Sequence, residues 1–133
     1  MRAVDTNILV RLIAQDDHRQ SALAEVFIEK GAWVSILALA EAVWVLATVY
    51  GRDAAALATA IELLLNHRTL ILQDADVVAA ALDLFRSRPG LKFSDCLILE
   101  LARKAGHLPL GTFDRRLAKM EGARIVSSAP GPR

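Results

Sequence analysis

The chain has 133 residues, 54% of them hydrophobic and 23% charged, with a formal net charge of +1 and one cysteine. That length supports one domain with a real core. The lone thiol, Cys96, excludes an internal disulfide and fits a reducing cytoplasm.

The first stretch, Arg2 to Val10, is an apolar run that stops at Asp5 and resumes with helical spacing after Thr6 and Asn7. Ala3 and Val4 suit a buried strand, and Thr6 and Asn7 are helix-capping types. Asp5 then lies at the carboxyl end of the first strand, where open parallel sheets bind ligands, and it reads equally as part of the cap. Thr6 to Ile13 is a short helix. Arg19 to Lys30 is an amphipathic one with Ala22, Leu23, Val26 and Phe27 on its apolar side, stopped by Gly31. Trp33 to Ser35 is a second strand and Ile36 to Tyr50 a buried helix. Asp53 caps the next helix, Ala54 to Leu65, and Leu70 to Leu72 is a third strand. Asp74 opens a helix to about Ser87, and Arg88-Pro89-Gly90 is a turn. Ser94 to Ala105 is a helix ended by Gly106. Leu108 to Phe113 is a fourth strand with Pro109 near its start, Arg115 to Met120 a short helix, and Arg124 to Val126 a fifth strand. The expected domain covers 1–126, and 127–133 reads as a flexible tail rich in Pro, Gly and Ser. Short apolar strands alternating with helices predict an α/β fold with a parallel sheet covered on both faces.

No secretory leader and no membrane span are expected. Asp5 and Arg11 interrupt the first apolar segment, and Glu41 sits near the centre of the 32–50 stretch, where lipid makes a carboxylate costly. The charge is unevenly placed. Residues 1–85 hold six Lys and Arg against 11 Asp and Glu, and residues 86–133 hold ten against four, so the halves carry −5 and +6. A basic third beside a set of acids suggests a phosphate-bearing substrate. Cys96 has no nearby His in sequence to activate it and reads as a small core residue.

Most acids lie in loops, on solvated faces or at helix starts. Four are different. Glu41 shares a helical face with Leu37, Trp44, Val45 and Thr48, and Asp95 shares one with Ile98, Leu99 and Ala102. Asp5 and Asp114 each follow a strand. An acid on an apolar face needs its charge compensated, and no Lys or Arg shares these faces at helical spacing. In a doubly wound sheet all four can meet at one edge. All-oxygen donors select a hard divalent ion, Mg²⁺ or Mn²⁺, which suits hydrolysis of a phosphate ester. The competing reading of the same acids is helix capping or ion pairing.

Asp5-Thr6-Asn7 after the first strand, the isolated Glu41, Phe93-Ser94-Asp95-Cys96-Leu97-Ile98, and Thr112-Phe113-Asp114 together resemble the PIN-domain ribonucleases. The small size matches the VapC-type toxins of type II toxin–antitoxin systems. The resemblance covers roughly residues 1–126. It implies a three-layer α/β/α PIN-like fold around a central parallel sheet of about five strands. The implied activity is that of an Mg²⁺- or Mn²⁺-dependent endoribonuclease toxin, with Asp5, Glu41, Asp95 and Asp114 as catalytic metal-binding acids. Asp5 and Asp95 would be principal ligands, and Thr6, Asn7 and Thr112 second-sphere residues. Similar proteins are cytoplasmic homodimers neutralised by a VapB-like antitoxin that inserts a C-terminal segment near the active site.

Lys92, Arg115 and Arg116, with Lys119 beyond them, flank two of the motifs and could meet RNA phosphates. Many of the aromatic residues (one Tyr, two Trp and four Phe) fall in core-like patterns, and no stacking platform for bases is obvious. That favours recognition of a folded RNA's shape or loop through its backbone. Two rivals remain. A phospho-receiver signalling domain shares the size and fold class, but it needs an acidic pair where Asp5 stands alone and a Lys where Ser127 follows the fifth strand. A non-catalytic PIN-fold binding module would keep the fold without the chemistry.

Overall fold

Side-chain oxygens start most of the longer helices of the computed structural model, which describes residues 1–127. Asp17, Ser35 and Asp53 each accept from a backbone N–H three residues on, at 2.9, 3.0 and 2.9 Å, and so satisfy donors that the first helical turn leaves unpaired. The chain runs β1 (Arg2–Val4), α1 (Thr6–Ala14), α2 (His18–Ile28), β2 (Ala32–Val34), α3 (Ile36–Thr48), α4 (Ala54–Leu65), β3 (Leu70–Leu72), α5 (Ala75–Ser87), α6 (Phe93–Ala105), β4 (Leu110–Thr112), α7 (Arg115–Ala118) and β5 (Ala123–Ile125). Every element expected from the sequence forms, with ends displaced by a residue or two. Of the expected tail, only Ser127 falls among the described residues.

All five strands pair in parallel, as an α/β fold with helical crossovers requires. They hydrogen-bond as two ladders, β1-β2-β3 and β4-β5, rather than as one continuous sheet. Each strand is only three residues long. β4 starts directly after Pro109, which has no N–H to donate, and carries Gly111 at its centre, which has no side chain to pack. In the larger ladder Val4, Val34 and Leu72 form one buried row, with Ala32 and Leu70 buried on the same side. Ala3, Trp33 and Ile71 form the alternate row and are exposed.

The core is built on the buried row by Leu9 and Val10 of α1, Leu39 and Leu46 of α3, Ile61 of α4, Val78 and Ala81 of α5, and Cys96, Leu97 and Leu99 of α6. The rings of Phe85 and Phe93 meet edge to face at 5.8 Å, which ties the end of α5 to the start of α6 across the intervening turn. Gly90 in that turn has φ +95°, and the Arg116 guanidinium of α7 lies against it, donating a long 3.4 Å hydrogen bond to its carbonyl.

Two expected faces are reversed. On α2, Ser21, Ala24 and Ile28 are buried, while Ala22, Leu23, Val26 and Phe27 are exposed. The Ser21 hydroxyl donates to the Arg11 carbonyl at 3.0 Å, so the face of small residues docks on α1 and turns the larger side chains outward. Phe27 is covered only in part, by the Arg2 guanidinium 4.5 Å from its ring centre. On α3 the buried face is Ala38, Leu39, Ala42, Val43 and Leu46, and the stripe Leu37-Glu41-Trp44-Thr48 faces solvent. Asp74, expected as a helix-starting acid, gives α5 no side-chain cap and instead bonds Lys104 of α6 at 2.9 Å. Among the described residues no helix is long and apolar enough to cross a membrane.

Candidate active site

Asp5 follows β1 and caps α1, its Oδ1 accepting from the Ile8 N–H at 3.2 Å. The two sequence readings of Asp5 are therefore compatible. A carboxylate has two oxygens and about four acceptor positions, so one capping bond leaves capacity for a ligand. Thr6, the next residue, donates its hydroxyl to Glu41 Oε2 at 3.0 Å. That bond joins the start of α1 to the middle of α3, two helices that pack on each other. Thr6 thus holds one of the candidate acids directly. Asn7 is exposed, and no hydrogen bond of its side chain is present among the described residues.

Asp114 repeats the arrangement of Asp5. It follows β4 and caps α7, with Oδ1 accepting from the N–H groups of Arg116 at 2.8 Å and Leu117 at 3.1 Å. Its own N–H donates to Thr112 Oγ1 at 2.9 Å, so Thr112 also fixes a candidate acid. Because Asn caps as well as Asp and Ala does not, the two roles of Asp114 separate experimentally. Asp114→Ala is expected to cost about 1 kcal/mol of stability in a urea titration. Asp114→Asn keeps the cap and removes the repulsion of Asp95, so it is expected to leave stability unchanged or raise it. Any loss of activity in that folded variant reports the missing charge.

Asp95 lies in the first turn of α6 and is the one half-buried member of the four. Burial raises its pKa above the usual carboxylate range, and repulsion from Asp114 raises it further, against an opposing pull from Lys92. Asp95 and Asp114 therefore sense each other across two elements far apart in sequence. Glu41 is exposed, so the expectation that it sits uncompensated on a buried apolar face does not hold for it. That argument survives for Asp95 alone. Its neighbour Cys96 is fully buried, and its thiol is pushed up to about 12 by burial first and then by Asp95 and Glu100. Cys96 is a neutral core residue, as its sequence context suggests.

None of the four acids forms a salt bridge among the described residues. Asp16, Glu62, Asp74, Asp76 and Glu100 are the acids that do, with Arg11, Arg86, Lys104 and Arg103. The four candidates thus have no ion-pair partner among the described residues, with only the longer-range pull of Lys92 on Asp95. Asp95 and Asp114 meanwhile repel each other, and a bound cation would relieve that repulsion. Among the described residues no group of three His, Cys, Asp or Glu stands close enough to hold an ion by itself. The donor set still fits Mg²⁺ or Mn²⁺ in kind, because Mg²⁺ is commonly held by one or two carboxylates and keeps several waters. Asp95 and Asp114 are the two of these acids whose charges act on each other.

Lys92 and Arg115 are exposed beside these acids, and Arg116 is engaged with Gly90. Two features went unrecognised in the sequence. Gln73 Oε1 accepts from the Ile36 N–H at 2.9 Å, so it helps to start α3 from the end of β3. Trp44 and Phe113 are exposed beside the acids rather than packed in the core. Their spacing from Glu41 and Asp114 carried that signal, since Trp44 lies three residues beyond Glu41 and Phe113 directly precedes Asp114. A family model described as PIN domain matches residues 2–123 of the chain. No curated protein and no solved structure matches it.

Proposed function

The chain belongs to the PIN-domain family, a family of nucleases that generally depend on divalent metal ions, and from that premise we propose that it is an endoribonuclease toxin of the VapC type. The observation that supports the reading best is the half-buried Asp95 with its pKa raised by burial and by Asp114, in a chain whose other buried side chains are almost all apolar. Ionising a carboxyl there costs stability. Perturbed acids of this kind concentrate at functional sites.

In this reading Asp95 and Asp114 hold Mg²⁺ or Mn²⁺, with Asp5 and Glu41 completing the acidic set directly or through water. When bound, the ion polarises a phosphate oxygen and lowers the pKa of the attacking water. The protein's own part is positional. The β1 and β4 strand ends set Asp5 and Asp114, the capping N–H groups fix their carboxylates, and Thr6 orients Glu41 as a group that can align a water. Such supporting bonds matter because misplaced ligands lose affinity and activity. Lys92 and Arg115 supply positive charge for the RNA backbone.

The toxin role brings with it a cytoplasmic setting, a VapB-like antitoxin and a homodimer. Leu23 and Val26 on α2, Leu37 on α3 and Val49 just past the end of α3 leave apolar surface open for such contacts. The test is cleavage of RNA by the purified protein with Mn²⁺ and with EDTA, alongside expression of the intact chain in a host cell without its antitoxin. Metal-dependent cleavage and growth arrest are expected. Folded protein that cuts no RNA and leaves growth normal would move the non-catalytic binding module to the front.

A further inference from the structure

Trp44 is 64% exposed, an unusual position for the largest apolar side chain on a helix whose other face forms the core. It lies one turn beyond Glu41 on the same solvent-facing stripe of α3. Beside it a groove of about 530 Å³ runs between α3, the start of α4 and the turn that joins α5 to α6. That size is within the range of pockets that take small molecules. Buried Val43, Leu57 and Phe93 make its floor. Its exposed rim carries Trp44 and Glu41 on one wall and Lys92 and Ser94 on the other.

We propose that this groove is the subsite for one unstacked nucleobase of the RNA, held against the Trp44 indole next to the phosphate being cleaved. The inference rests on the endoribonuclease reading above. Three features select this occupant. The apolar floor and the indole suit a flat, uncharged ring, and base-on-aromatic stacking is sequence-tolerant because every base has a π-face. Glu41 belongs both to the groove and to the acidic set, so the nucleotide beside the attacked phosphate reaches the groove directly. Lys92 at the mouth offers a cation to the backbone that carries the base. The consequence is a requirement on the substrate. A base paired within an A-form duplex cannot enter, so the RNA must present an unpaired nucleotide beside the cleaved bond.

The test measures binding of a single-stranded RNA octamer to the full chain in EDTA, together with the same octamer carrying abasic positions. Trp44→Ala is expected to weaken binding of the intact octamer about tenfold, and Trp44→Phe to retain most of it. The salt dependence of binding should keep its slope, because no phosphate contact is lost. On the unmutated protein the abasic octamer is expected to bind more weakly by a similar factor, and Trp44→Ala should then cost nothing further. The comparison of the two octamers on the unmutated protein does not depend on the folding of any variant. Equal binding of the intact and abasic octamers, or an unchanged affinity in Trp44→Ala, would overturn the proposal. So would a groove that quenches indole fluorescence with an aromatic peptide and not with RNA, read in a Trp33→Phe background. A chain that cleaves RNA with Mn²⁺ yet is indifferent to Trp44→Ala overturns the subsite alone. One that neither binds nor cleaves RNA overturns the nuclease reading as well.

Discussion

Asp95→Asn is expected to reduce RNA cleavage at least about 100-fold, because even supporting residues of metal sites cost about 10- to 100-fold when removed and Asp95 is proposed as a direct ligand. The same change is expected to leave the melting temperature unchanged or raise it. Burial and repulsion from Asp114 both raise the Asp95 pKa, so the folded chain binds that proton more tightly than the unfolded chain does. The ionised carboxylate therefore subtracts stability at neutral pH. That cost fades as the pH falls through the raised value toward the ordinary carboxylate range. An asparagine carries no such charge. Its advantage over the wild type should thus be full at neutral pH and shrink on acidification. Thermal melts of the two proteins from pH 7 down to pH 4, with cleavage measured in parallel at pH 7, check both halves. An inactive variant that is also much less stable would make Asp95 a structural residue.

Mn²⁺ or Mg²⁺ is expected to raise the melting temperature of the wild type by about 10 °C at a metal concentration 100-fold above its dissociation constant. Binding to the folded state alone contributes about 2.7 kcal/mol at that excess, and for a domain of this size each kcal/mol moves the midpoint by about 4 °C. The effect should exceed what simple screening of surface charge provides, so an equal ionic strength of NaCl should not reproduce it. Asp95→Asn should lose most of the response. A wild type whose midpoint ignores both ions up to millimolar concentrations would count against resident metal among these acids, and with it against the hydrolytic role proposed for Asp95 and Asp114.

Much of this architecture was readable from the chain itself. Capping residues, stop glycines and hydrophobic period are local signals. They located Asp53 at a helix start, Gly106 at the end of α6 and five short apolar strands between the helices. Asp17 read instead as a loop residue and Ser35 as the end of a strand, and only the structure showed them as caps. Asp5 and Asp114 were legible as acids that follow strands, because a strand end is recognisable wherever an apolar run stops at a polar residue. The acidic set in order was enough to suggest the PIN-domain family, which the match over residues 2–123 then showed.

Other features depended on which surfaces meet. Period alone says that α2 and α3 each have an apolar stripe, but the neighbour that covers a stripe is chosen by packing. On α2 the hydroxyl of Ser21 bonds to α1 and selects the face of small residues, which leaves Leu23 and Val26 in solvent. On α3 the tight interlock of Ala38, Leu39, Ala42, Val43 and Leu46 with the core turns Glu41 and Trp44 outward together. The Asp95 environment was equally out of reach of the sequence, since its burial and the charge of Asp114 come from elements nearly 20 residues apart in the chain. Residue type, caps and period are properties of a few neighbouring residues, so the sequence by itself determined the elements and the acids at their ends. Desolvation and cross-element repulsion exist only after the elements pack, and the tertiary structure alone decided that Asp95 is the perturbed acid and that an open aromatic groove lies beside Glu41.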